Sequence, residues 1–212
     1  MKIGVFDSGI GGEAVATRLR HLMPDAKVIT ANDSVHVPYG AHTDEEILRL
    51  TEQALQPLLR ASCDAIVIAC NTATTVAIAY LRDAYPSQHF VGLEPMIKPA
   101  ALLTHTGVVA VLATPATLRS QRYAALKRTW ATDLTVVEPD CSIWAASIEH
   151  GEKIELDAII TSLKEQSVDV IVLACTHYHW IKQDIERLAG PSIRVLEPSD
   201  AIGARIRSLV TR

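Results

Sequence analysis

Two cysteines in this chain share one kind of setting. One closes the run Ala65-Ile66-Val67-Ile68-Ala69-Cys70 and is followed by Asn71-Thr72. The other closes Val170-Ile171-Val172-Leu173-Ala174-Cys175 and is followed by Thr176-His177. A short apolar run bounded by polar residues reads as a strand buried on both faces of a parallel sheet. Each thiol therefore stands at the carboxyl end of such a strand, the side on which open α/β sheets bind ligands. A helix is expected to start just after each cysteine, and a helix N-terminus favours negative charge and lowers a thiol pKa. Two such thiols suit proton transfer to and from one molecule on two sides. The same residues also read as small buried hydrophobes or as a disulfide, and the reducing compartment inferred below opposes the disulfide. Cys63 and Cys141 lack this setting and read as structural.

Other segments carry polar chemistry of their own. Asp7-Ser8-Gly9-Ile10-Gly11-Gly12 follows the first strand-like run. Its glycines permit tight turns and a close approach of backbone amides to an anion. The full dinucleotide fingerprint is absent, because position 14 is alanine. Asp7 reads equally as a catalytic carboxylate or an N-cap. Pro38-Tyr39-Gly40 reads as a turn, or as a source of amides for a carboxylate. Asn71-Thr72 and Thr176-His177 fit helix caps or ligand contacts. Cys175, His177 and His179 invite a metal reading, but residues two apart do not share a helix face and no second ligand pair has zinc spacing, so no metal is expected. Glu149, before His150-Gly151, reads from its neighbours as a solvated helix end.

The elements that must position these groups alternate along the chain. Strands are expected at 3–6, 27–31, 65–69, 90–93, 108–112, 134–137, 170–174 and 193–196, with helical spacing between most of them. The clearest helix follows Thr43, with Glu46 completing a capping box and Ile47, Leu48, Thr51, Leu55, Leu58 and Leu59 on one face. Gly92-Leu93-Glu94-Pro95 has a partner in Val195-Leu196-Glu197-Pro198, at nearly the spacing that separates the two cysteines. The strand ends at Ser8 and Thr114 match more loosely. The implied organisation is α/β, as two similar lobes with parallel sheets: 1–97, then 98–198, with a last helix at 199–212 packing back on the first lobe.

The 212 residues are enough for one large domain or two small ones, and 49% hydrophobic against 21% charged residues is globular composition. A net charge of -4 leaves no basic footprint for nucleic acid. No run is long enough to span a bilayer, so no membrane partner is expected. The chain starts directly on a strand-like segment with no visible signal peptide, so a cytoplasmic location and reduced thiols are expected.

Together, Asp7-Ser8-Gly9-Ile10-Gly11-Gly12, Pro38-Tyr39-Gly40, Ala69-Cys70-Asn71-Thr72-Ala73 and Ala174-Cys175-Thr176-His177-Tyr178 resemble the glutamate racemase branch of the aspartate/glutamate racemases. The matches keep the family's order over nearly the whole chain. The resemblance implies two α/β lobes related by a pseudo-twofold, with the active site between them. It implies racemisation of glutamate without a cofactor, supplying D-glutamate for bacterial peptidoglycan, and it is compatible with a homodimer. Cys70 and Cys175 match the two acid/base thiols. Asp7 matches a carboxylate assisting Cys70, and His177 and Glu149 match groups assisting Cys175. Asp7, Ser8, Tyr39, Gly40, Asn71, Thr72, Thr114, Thr117, Thr176 and His177 fall on substrate-binding positions.

The chain departs from that pattern at four points. His179 stands where proline is usual, Ser142 where proline is common, and Glu197 where aspartate is usual. The sequence also ends soon after 210, where typical members continue with more helix. Aspartate or another amino acid as substrate, and a non-catalytic amino-acid-binding protein on the same scaffold, are the alternative readings.

Overall fold

In the computed structural model, which describes residues 1–210, all eight apolar runs expected to be strands form strands. The chain divides into two compact units, one comprising Met1–Glu94 with the chain from Pro198 onward, the other Pro95–Glu197.

The first unit runs β1 (Lys2–Asp7), α1 (Gly11–Leu22), β2 (Lys27–Asn32), α2 (Asp44–Arg60), β3 (Ala65–Ile68), α3 (Asn71–Ala84) and β4 (Phe90–Gly92). Its sheet is parallel throughout, in the order β2-β1-β3-β4. Alternation along the strands sorts the core. Ile3, Val5, Ala65, Val67 and Ala69 pack with Val15, Ala16 and Leu19 of α1. Phe6, Ile66, Ile68 and Cys70 face the other way, among Ile47, Leu55 and Leu58 of α2 and Ala77 and Leu81 of α3. Burial of each large apolar side chain contributes about 1.5–3 kcal/mol, set against the conformational entropy lost in ordering it.

The second unit runs α4 (Ile97–Leu103), β5 (Val108–Leu112), α5 (Pro115–Arg119), α6 (Gln121–Trp130), β6 (Thr135–Val137), α7 (Trp144–Glu149), α8 (Asp157–Glu165), β7 (Val170–Leu173), α9 (Lys182–Ala189) and β8 (Arg194–Leu196). Its sheet is again parallel, in the order β6-β5-β7-β8, the topology of the first unit strand for strand. The sorting repeats too. Val109, Val111, Val170, Val172 and Ala174 point to one core, and Ala110, Leu112, Ile171, Leu173 and Cys175 to the other.

After β8 the chain re-enters the first unit as α10 (Ser199–Val210). Ile202 and Ile206 of α10 join Val15 and Leu19 in the first unit's core. The last two positions of the helix expected at 199–212 lie outside the described residues. In α2 the capping box is present, with the Thr43 N–H donating to Glu46 at 2.9 Å and the Glu46 N–H to Thr43 Oγ1 at 3.3 Å. Its buried face differs from the expected one: Leu50 is buried, while Leu48 and Leu59 are only half-buried. Because α2 packs on α3, β1 and β2 together, its apolar arc is wider than one stripe and centres nearer Leu50.

Candidate active site

In each sheet the strand order reverses direction between two neighbours, β1/β3 and β5/β7. Beyond the carboxyl ends of such a pair the connecting loops part and leave a crevice for ligands. Asp7 ends β1, and Cys70 lies just past β3. The parallel register pairs Phe6 with Ile68, so the segments that follow, Asp7-Ser8 and Ala69-Cys70, emerge side by side.

The Ser8 hydroxyl lies 3.3 Å from Cys70 Sγ and 3.3 Å from Asp7 Oδ1. One hydroxyl hydrogen serves only one acceptor at a time, so Ser8 bridges thiol and carboxylate. The Gly9 N–H donates to the same Asp7 oxygen at 3.2 Å. Gly12 makes room for this arrangement, since a Cβ there would stand 2.5 Å from Asp7 Cβ. Cys70 itself caps α3, accepting the Ala73 N–H at 3.4 Å. Its thiol is pushed up to about 11, first by burial and then by the Asp7 charge, while hydrogen bonds from Ser8 and Ala73 pull the other way.

Asn71, 3% exposed, has neither its amide nitrogen nor its amide oxygen hydrogen-bonded among the described residues. A buried amide left unpaired costs about 1–3 kcal/mol, which marks Asn71 as a group shaped for something polar. Thr72 beside it is buried. Tyr39 and Gly40 sit in a 3-10 turn, Tyr39–Ala41. Buried Tyr39 donates its hydroxyl to Asp33 Oδ2 at 2.8 Å, and burial together with this bond raises the phenol pKa. Asp33 was not a candidate from sequence. Its signal was an acid directly after strand β2 and just upstream of Pro38-Tyr39-Gly40.

In the second unit Cys175 is not followed by an α-helix. Thr176–Ile181 is a 3-10 turn, and α9 starts only at Lys182. The helix expected directly after the thiol does start there, but as a 3-10 helix that becomes α-helical only at Lys182; side-chain ties from this turn to the region around α7 accompany the tighter winding. Tyr178 donates its hydroxyl to the Cys141 carbonyl at 3.1 Å, and its ring meets Trp144 edge-on at 5.4 Å. His177 Nδ1 lies 3.8 Å from Cys175 Sγ, and its Nε2 lies 2.6 Å from Glu149 Oε2. Glu149 is accordingly no solvated helix end: its side chain is 11% exposed and engaged by the imidazole. With Glu149 ionised, the hydrogen on Nε2 donates to it and Nδ1 faces the thiol, ready to take its proton. Thr176 is buried. Thr114 caps α5, accepting the Thr117 N–H at 3.4 Å and donating its hydroxyl to Thr117 Oγ1 at 3.2 Å.

Cys63 and Cys141 are buried thiols, and no disulfide joins any of the four cysteines. Cys175, His177 and His179 do not converge as a metal-binding group, nor does any other set of three or more His, Cys, Asp or Glu among the described residues. No helix among the described residues is long and apolar enough to cross a membrane. Each unit thus carries one thiol at its switch point, chained to a carboxylate through a hydroxyl in one case and an imidazole in the other. A thiol hydrogen-bonded to a proton acceptor is equipped for general acid–base work.

The sequence model of Asp/Glu/hydantoin racemases matches residues 13–205. The chain is 40% identical to the glutamate racemase of Herpetosiphon aurantiacus, over 98% of its own length and 84% of that protein. It is 37% identical to the glutamate racemase of Ectopseudomonas mendocina, over 98% of its length and 81% of the relative. Among solved structures it is similar to Escherichia coli glutamate racemase in complex with L-glutamate and the activator UDP-MurNAc-Ala. That match has a TM-score of 0.86 and 31% identity, covering 100% of this chain and 82% of the other.

Proposed function

Because the chain belongs to the Asp/Glu/hydantoin racemase family, we propose that it interconverts L- and D-glutamate by proton transfer between the substrate Cα and two thiols, without a cofactor. One observation carries the reading: equivalent strand ends in two equivalent units each present a thiol chained to its own carboxylate.

Racemisation removes the Cα proton from one face and returns a proton to the other. In one direction Cys70, its own proton handed to Asp7 through the Ser8 hydroxyl, takes the Cα proton as a thiolate, while the Cys175 thiol delivers its proton to the opposite face and is left as the thiolate. In the other direction Cys175 is the base, relieved by His177 and Glu149, and Cys70 delivers. The intermediate is carbanion-like, and its charge spreads into the α-carboxylate. Hydrogen-bond donors aimed at that carboxylate stabilise the transition state more than the ground state. The Asn71 amide, the hydroxyls of Ser8, Thr72, Thr114, Thr117 and Thr176, and the amides at Tyr39-Gly40 are the proposed donors and contacts. The product reading is D-glutamate for peptidoglycan, made in the cytoplasm.

Circular dichroism with L-glutamate, and separately with L-aspartate, tests substrate and activity together. Glutamate signal is expected to decay to zero and aspartate signal to persist. Separate Cys70→Ser and Cys175→Ser variants are each expected to lose at least about a thousandfold in kcat, since a serine hydroxyl is a far weaker acid than a thiol. Wild-type racemisation by either variant would sink the two-thiol mechanism.

A further inference from the structure

His179 and Glu197, two of the positions at which the chain departs from the racemase pattern, meet in the second unit. His179 Nε2 lies 3.8 Å from a Glu197 carboxylate oxygen, with the two side chains only 7% and 15% exposed. Nε2 is buried and makes no hydrogen bond among the described residues. A polar ring and a carboxylate withdrawn from water are costly unless each compensates the other. Burial pushes the His179 pKa down, Glu197 pulls it up, and Lys182 adds a smaller push down.

The pair's placement gives it a role. His179 lies in the Thr176–Ile181 turn, two positions after His177. Glu197 directly follows β8, and β8 is the sheet neighbour of β7, the strand that leads to Cys175. The first half of the turn is tied by His177 to Glu149 and by Tyr178 to the Cys141 carbonyl. Both ties run toward α7 and the loop before it. His179 runs instead to the end of β8. A 3-10 turn has poorer hydrogen-bond geometry than an α-helix and relies on such anchors to hold its shape.

We propose that His179 is a positioning residue that, through Glu197, fastens the far half of the 176–181 turn to the end of β8 and so holds His177 against Cys175. Only the kinetic consequence rests on the racemase reading. The anchoring itself is a property of the fold.

Hydrogen exchange read by mass spectrometry tests the anchor directly, on the full chain. His179→Ala and Glu197→Gln are each expected to speed exchange in the 175–181 peptide at least threefold, with the 70–76 peptide unchanged. The double variant is expected to exchange no faster than the faster single, because both remove one interaction. Kinetically, His179→Ala is expected to lower kcat about tenfold with KM within twofold. His179→Gln, which keeps a polar group facing Glu197, is expected to recover most of it. If His179→Ala does not fold, His179→Gln and Glu197→Gln carry the comparison. Unchanged exchange at 175–181, additive effects in the double variant, or an equal kcat loss for Ala and Gln overturns the proposal. A wild type inactive on both amino acids sinks the racemase reading, and the exchange data still decide the anchor.

Discussion

On the proposed mechanism, Asp7 acts on Cys70 in two opposing ways. Through Ser8 its carboxylate offers a place for the thiol proton to go, and its negative charge makes that proton harder to remove. Asp7→Asn separates the two. Loss of the charge lowers the Cys70 pKa, though not to the ordinary thiol value, because burial is the larger cause and stays. Iodoacetamide at pH 8 is therefore expected to alkylate Cys70 faster in Asp7→Asn than in wild type, while racemisation slows about 10- to 100-fold. Slower alkylation in the variant would refute this division of roles. Since enantiomers have equal free energy, kcat/KM is the same in both directions. On the proposed two-thiol mechanism, the unlike partners of the thiols show in the separate kcat and KM values rather than in that ratio. The family resemblance alone linked Asp7 to Cys70 and gave Ser8 only as a substrate contact; what brings both to the thiol is the pairing of β1 with β3, which no local sequence feature reports. Glu149 was not legible from its own neighbours, because its partner His177 is 28 positions away and joined only by tertiary packing; the family resemblance alone pointed to it.

At the level of elements, two glycines bring helices against the strand ends that matter. Gly12 lets α1 pass Asp7, and Gly92 makes room for Thr74 of α3, whose hydroxyl bonds the Ile68 carbonyl at 3.0 Å. A methyl group at position 12 would meet the Asp7 side chain close to its backbone, which cannot swing aside. Gly12→Ala is expected to fold with a lower Tm and to lose at least tenfold in kcat/KM by displacing Asp7. A differential scan and a racemisation assay check it, and wild-type values in both would contradict the packing. The inner strands β1, β3, β5 and β7 were legible because burial on two faces leaves continuous apolar runs. The α2 face was legible only in outline, since a helix touching several neighbours buries more than one stripe. The turn after Cys175 was not legible as 3-10, because the ties that shape it come from α7, the preceding loop and β8 rather than from its own sequence.

At the scale of the whole molecule, buried acids set the response to alkali. Burial pushes Cys70 up to about 11 and Cys141 to about 12, and raises Cys63 as well, from an ordinary value of 9.0. Above pH 9 the unfolded chain releases these protons while the folded chain keeps them. The unfolded state then binds fewer protons, so stability falls as pH rises, over a window from about 9 to about 12. Each thiol contributes at most about 1.4 kcal/mol per pH unit. Buried Tyr39 and Tyr178, both raised by burial, add the same sign above pH 10. Tm is expected to be flat from pH 7 to 8.5 and to drop beyond 9. Cys141→Ala is expected to start lower but fall less steeply, and an identical slope would contradict the burial of that thiol.

The second unit is an insertion in the first, because the chain leaves at Glu94 and comes back at Pro198 to place Ile202 and Ile206 beside α1. On a ribosome the two units therefore mature out of order. The later unit has all its strands and both of its cores in hand once Glu197 has emerged. The earlier one waits through that whole interval with the α1 side of its sheet partly uncovered, until α10 supplies Ile202 and Ile206. The half that begins synthesis first is the half that finishes folding last.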